Sequence, residues 1–354
     1  MTDHDLVTTL ATLGAGYDAT PGFPVNSLTA LIERGLHRRF APGSADGAGH
    51  TDALLAALRL VGRGDLSVGR LFEGHVNALA LFGWYATAEQ HAWLTKQLDR
   101  GAWFGVWATE PPPGVRIATD AGESRLQGAK HFASGAGGIN FAIVTAQPDT
   151  GPRRIVIAPA NDPARTDLSA WRVRGMRASC SGRYDLSDLP AGPVETIGAA
   201  GDYDRDPRFT AGAWRFLAVQ LGGIEALVIE TRKGMSENAR ADPIQRARFA
   251  DAVVAARTAG LWVREAAIRA MREDVDAPAF VQMTRGIVER AGLDVIEAAS
   301  RLLGTRSAFD GVRADKIIRD LSLYLRQGGP DHARDQAAIA WLADDVWGEG
   351  DAWW

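Results

Sequence analysis

The hydrophobic period of this chain changes twice, from helical to strand-like near Gly101 and back to helical after Pro207. Between Ser27 and about Arg100, apolar residues recur near every 3.6 positions: Leu54, Leu55, Leu58 and Val61, then Leu71, Val76, Leu79 and Phe82. The stretch from Ala41 to Gly49, rich in Gly, Ala, Pro and Ser, reads as a loop. From Trp103-Phe104-Gly105-Val106-Trp107 to about Asp206 the pattern is short runs bounded by Gly, Pro, Asp and Ser. Phe141 to Ala146 and Arg154 to Ala158 are the clearest strands there. Helical spacing then returns in four places: Phe216 to Leu227, Phe249 to Leu261, Ile287 to Leu302, and a helix beginning near Pro330 with Ala333, Ala337 and Leu342. Long Ala-rich helices of this kind pack antiparallel in bundles. Helices, then strands, then helices predict an α+β fold with segregated layers, which excludes an alternating βαβ sheet.

At 354 residues the chain outgrows a single core, and two or three subdomains are expected. Its 39 basic and 43 acidic residues are mixed, with a formal net charge of -4 and no long basic run, so nucleic acid is not expected as a partner. Met1 to Leu10 carries Asp3 and Asp5 and lacks a basic n-region, and no apolar run approaches the roughly 18 residues of a membrane span. A cytoplasmic protein with no membrane partner is the expectation. Cys180 stands alone in Ala178-Ser179-Cys180-Ser181-Gly182 without an adjacent base, as a buried inert thiol would. No two of the seven histidines have the helical i, i+4 spacing of a metal site, so no metal is expected. Neither Gly-rich phosphate loop occurs, nor does a Gly-x-Ser-x-Gly elbow.

Three segments of the middle region carry a resemblance. Phe104-Gly105-Val106-Trp107-Ala108-Thr109-Glu110-Pro111 ends a strand in Thr-Glu-Pro. Gly128-Ala129-Lys130-His131-Phe132-Ala133-Ser134-Gly135 follows about twenty residues later, and Arg174-Gly175-Met176-Arg177-Ala178-Ser179 comes third. In order and spacing they resemble the flavin-contacting segments of the acyl-CoA dehydrogenase superfamily, and the resemblance extends over nearly the whole chain. It implies an N-terminal helical domain over residues 1–100, a middle β-barrel or sandwich domain over 101–206 that binds flavin, and a C-terminal four-helix bundle over 207–354. It also implies FAD as cofactor, a homodimer or homotetramer, and an acyl substrate such as an acyl-CoA thioester. By the same resemblance Val106, Ala108 and Thr109 meet the flavin ring, Phe132 stacks beside it and Ser134 donates to it. Donors near N5 and the pyrimidine edge stabilise a reduced flavin, and an apolar neighbour excludes water. In the bundle, Arg301 and Gly304 occupy the place of the family's Gln-x-x-Gly-Gly segment, and Arg240 the place of its Arg-x-x-Phe-Gly-x-Pro element; the second Gly and the Phe-Gly pair are absent.

The family's acid is missing. Arg319-Asp320 is present, but an ungapped count puts Gly328 where the family has the Glu that removes the α-proton. Some members carry that Glu six residues before a Gly-Gly pair, and counting back from Gly222-Gly223 reaches Phe216. Desaturating a thioester needs a carboxylate within hydrogen-bond reach of the α-carbon. Asp331, just beyond the gap, is either a relocated base or the N-cap of the last helix. Three readings stay open: an atypical dehydrogenase, a flavin-dependent monooxygenase of the same fold, and a flavin-less binding scaffold. The acidic, Trp-rich tail from Asp344 to Trp354 receives no function.

Overall fold

The computed structural model describes residues 2–44 and 50–343, so residues 45–49 of the expected loop and the tail from Asp344 lie outside the described residues. Six helices come first: α1 (Asp3–Ala19), α2 (Val25–Glu33), α3 (Leu36–Arg39), α4 (His50–Gly64), α5 (Leu66–Tyr85) and α6 (Ala88–Asp99). Their starts follow local chemistry. Thr2 and Asp5 form a reciprocal capping box on α1, Thr87 and Gln90 another on α6, and the Asp65 carboxylate accepts the Val68 amide at the head of α5. Helix α1 precedes the segment where the sequence shows a period, because only Leu6, Leu10 and Gly14 of its 17 residues are buried.

Nine strands follow: β1 (Phe104–Trp107), β2 (Arg116–Asp120), β3 (Glu123–Gln127), β4 (Ala129–Ala133), β5 (Phe141–Ala146), β6 (Arg154–Pro159), β7 (Thr166–Asp167), β8 (Gly182–Asp185) and β9 (Thr196–Ile197). They form three small sheets, ordered β1-β5-β6-β9, β2-β3 and β4-β8-β7. The β2-β3 hairpin turns on Ala121 and Gly122, both with positive φ, the geometry a two-residue turn needs to match strand twist. The last group is α7 (Arg208–Ala211), α8 (Trp214–Gly234), α9 (Glu237–Ala241), α10 (Pro243–Arg272), α11 (Ala277–Leu303), α12 (Arg313–Tyr324) and α13 (Pro330–Ala343). The chain is therefore helical at both ends with a central β region.

Two compact units result, Met1–His50 with Leu60–Arg205, and Thr51–Arg59 with Asp206–Trp354. In the first, α5 and α6 bury Phe82, Leu94 and Leu98 against Phe104, Ile143, Ile155 and Ile197 of the four-stranded sheet. Parallel pairing of β1 with β5 sets Phe104 opposite Phe141, and their rings stack at 5.4 Å, with Trp93 edge-on to Phe141 at 4.9 Å. In the second unit, α8 packs on α10, α11 and α12, and α11 also on α13. Residues Arg208–Gly234 are long and apolar enough to cross a bilayer by length and composition, a run the sequence reading did not single out, and 72% of its most apolar window is buried inside the protein. Helix α12 adds a fifth long element to the four anticipated. Its buried positions include Asp315 and Asp320, paired with Arg319 and Lys316, beside Ala314, Ile317, Leu321 and Tyr324, so charged residues break the apolar stripe that the sequence would show.

Candidate functional site

The first unit gathers the flavin-like segments around strand β4. A register shift between Lys130 and Ala133 makes a bulge there, and Phe132 at its centre takes φ 50°, a left-handed conformation rare for a bulky residue. The bulge breaks the alternation expected of a plain strand. Lys130 points fully inward, Phe132 is 64% exposed, and Ala133 and Ser134 are buried. An exposed aromatic on strained backbone is the kind of outlier that clusters at ligand sites.

The surroundings are stitched to β4 by named contacts. The Thr109 carbonyl accepts from the His131 amide at 2.9 Å, and Trp107 Nε1 donates to the Ser134 carbonyl at 3.0 Å. The chain leaving β1, with half-buried Val106 and Ala108 and exposed Thr109, is thereby held beside Phe132 and Ser134. Lys130 Nζ pairs with the Glu110 carboxylate and donates to Thr145 Oγ1 at 3.0 Å. Burial holds the Lys130 ammonium below its usual pKa, opposed by Glu110. Glu110 is thus the counter-ion of a buried lysine, which ties the Thr-Glu-Pro loop to β4.

Ser134 Oγ lies 2.9 Å from Ser181 Oγ, and Ser181 Oγ lies 2.8 Å from Ser179 Oγ, a row of three buried hydroxyls. Phe132 meets Trp171 edge to face, with ring centroids 6.5 Å apart. Trp171 in turn lines an open cleft of about 630 Å³ with Leu168, Arg172, Arg174, Arg177 and Cys180. That volume is in the range of small-molecule and cofactor sites. Burial pushes the Cys180 thiol up to about 11, so this wall carries no thiolate nucleophile near neutrality.

Strand β1 is anchored by a histidine that the sequence did not flag. His75, fully buried on α5, accepts the Phe104 amide at Nδ1 (3.1 Å), and its Nε2 donates to the His37 carbonyl at 2.6 Å. Both nitrogens are committed in the neutral ring. Burial, the largest influence, lowers its pKa to about 4.

In the second unit the remaining sequence-derived residues do not converge. Arg240 donates to the Met235 carbonyl at 3.1 Å and to the Arg232 carbonyl, closing the end of α8. Arg301 pairs with Glu297 one turn back, and Gly304 ends α11 with φ 60°. Asp331 sits in the first turn of α13, its side chain 91% exposed and paired with Arg334. The two positions at which the resemblance places an acid do converge, on a cation. Arg285 of α11 lies over the Phe216 ring, 5.7 Å from its centroid, and donates to the Gly328 carbonyl. Gly328 has φ 72°, and a Cβ added there would overlap Arg285 Nη2. A side chain at 328 is therefore strained by the backbone and would have to displace the guanidinium end of Arg285. Nothing in the sequence signals Arg285, because the residues it joins lie 69 positions before it and 43 after.

The fold is shared with solved flavoenzymes, an acyl-CoA dehydrogenase among them. Dibenzothiophene monooxygenase TdsC from Paenibacillus sp. A11-2, solved with FMN and indole, superposes with a TM-score of 0.84 at 18% identity, over 96% of this chain and 95% of that one. A glutaryl-coenzyme A dehydrogenase in complex with glutaryl-CoA gives 0.83 at 17% identity, over 96% and 94%. In sequence, dibenzothiophene monooxygenase from Rhodococcus erythropolis is 26% identical over 197 residues, 52% of this chain and 46% of that protein. The chain spans about half the length of the curated relatives it matches. No protein-family profile matches it.

Proposed function

We propose that this chain is a flavin-dependent oxidoreductase that works as a monooxygenase. The flavin reading rests on Phe132, an aromatic face displayed on strained backbone beside the buried Ser134 hydroxyl and next to a cleft of cofactor size. These residues fit a flavin, whose ring takes an apolar face on one side and polar partners at its edge. A flavin bound there would supply, once reduced, the two electrons by which one atom of O2 enters a substrate and the other leaves as water. Ser134 would be its polar partner, Val106, Ala108 and Thr109 would border it, and the arginines around the cleft favour a phosphate-bearing ligand. FAD is the form implied by the family resemblance, and FMN the form bound by TdsC.

The observation that carries the choice of reaction is Arg285. A guanidinium stays protonated and cannot take an α-proton, and it fills the space beside both positions where a dehydrogenase of this fold would hold its acid. Oxygen transfer needs no such base. The sequence relatives support the same branch, since they are sulfur-compound monooxygenases. A homo-oligomer belongs to this reading and is supported by apolar side chains left exposed two turns apart on α10, Val254 and Leu261. The experiment is to supply FAD or FMN, an external reductase and O2, with dibenzothiophene as trial substrate. An oxygenated product, with tighter binding of one flavin, is the expected result; oxidation of an acyl-CoA thioester in its place would favour the dehydrogenase.

A further inference from the structure

Among the described residues, Arg285 is a half-buried cation of the second unit whose partners are neutral groups. It touches the Phe216 ring and the Gly328 carbonyl, and its buried Nε has no hydrogen-bond partner. No carboxylate lies within salt-bridge distance of it among the described residues, although arginines on the same helix have one: Arg290 pairs with Asp294 and Arg301 with Glu297. Burial lowers the pKa of Arg285, and no acidic neighbour opposes the shift. A partly desolvated charge without a counter-ion is unfavourable in a folded protein, and an anion brought by a ligand offsets that cost.

We infer that Arg285 is the recognition group for a small organic oxyanion, a carboxylate or sulfonate. The geometry suits that class. One Nη is committed to Gly328, which fixes the guanidinium plane, and the other Nη is left as donor toward a ligand oxygen. Stacking on Phe216 restrains the side chain in that plane, so less rotamer freedom is lost on binding. Gly328 serves the arrangement by carrying no side chain. The inference goes beyond the oxygenase reading and does not rest on it: it concerns anion binding by the second unit alone.

The purified protein, without flavin reduction, is titrated calorimetrically with acetate, benzoate and benzenesulfonate, and with the neutral analogue benzamide. Wild type should bind at least one of the three anions, and benzamide at least about tenfold more weakly, a difference of about 1.4 kcal/mol. Arg285→Gln should erase that preference while Arg285→Lys keeps part of it, with melting temperatures of both variants recorded to show that they fold. A merely structural Arg285 would shift the melting temperature and leave anion preference untouched. No anion binding by wild type, or equal preference in wild type and a folded Arg285→Gln variant, overturns the inference. Flavin binding is read separately by absorbance, so a protein that binds anions but no flavin retires the oxygenase reading and keeps this one.

Discussion

At the residue scale, two strained or buried side chains carry testable consequences. Phe132 holds φ 50° on an exposed bulge, where a left-handed conformation costs a non-glycine residue about 1 kcal/mol. Phe132→Gly should relieve that strain and match or exceed wild-type stability in urea melts, yet weaken flavin binding about tenfold or more. A variant that loses stability and keeps its flavin affinity would make Phe132 a packing residue. His75 makes a pH prediction. Its pKa falls from 6.5 to about 4 in the folded chain, so between those values the unfolded chain binds a proton that the folded one refuses. Its contribution is complete above pH 6.5 and drains as pH falls toward 4, by about 3 kcal/mol. His75→Gln should flatten the slope of stability between pH 4.5 and 6.5, and an unchanged slope would assign it to other groups. The motif residues around Phe132 were legible in the sequence because they are contiguous. The roles of His75 and Arg285 were not, since each depends on partners far along the chain.

At the element scale, the turn between α12 and α13 is where this chain departs from the family resemblance. Gly328 lies in that turn with φ 72°, against Arg285. Restoring the family's acid by Gly328→Glu should lower stability by about 1 kcal/mol, chiefly from positive φ, and should not create thioester oxidation. Thermal melts and an acyl-CoA assay check both halves. A stable Gly328→Glu that oxidises thioesters would mean that the turn and Arg285 move aside easily. Asp331→Asn, one turn into the surface of α13, should change stability by less than about 1 kcal/mol, since an exposed pair with Arg334 contributes little. Strands β5 and β6 were readable from their β-branched runs and closing prolines. The β4 bulge was not, because a one-residue register shift leaves no compositional mark.

At the scale of the whole molecule, the double change of period was enough to predict helical ends and a central β region. The division into compact units was less legible. By contacts, residues 60–205 hold the later N-terminal helices and the strands together, because α5 and α6 share one core with β1 and β5. Apolar spacing says that a face is buried, not against what. The central claim is that a flavin is bound and that no base of this chain delivers an α-proton step. The visible spectrum of the flavin-loaded protein, held without oxygen and mixed with a panel of acyl-CoA thioesters, tests it directly. A bound-flavin band that every thioester leaves intact is the predicted result; bleaching of that band by any thioester, or no bound flavin after addition of either FAD or FMN, would contradict the account.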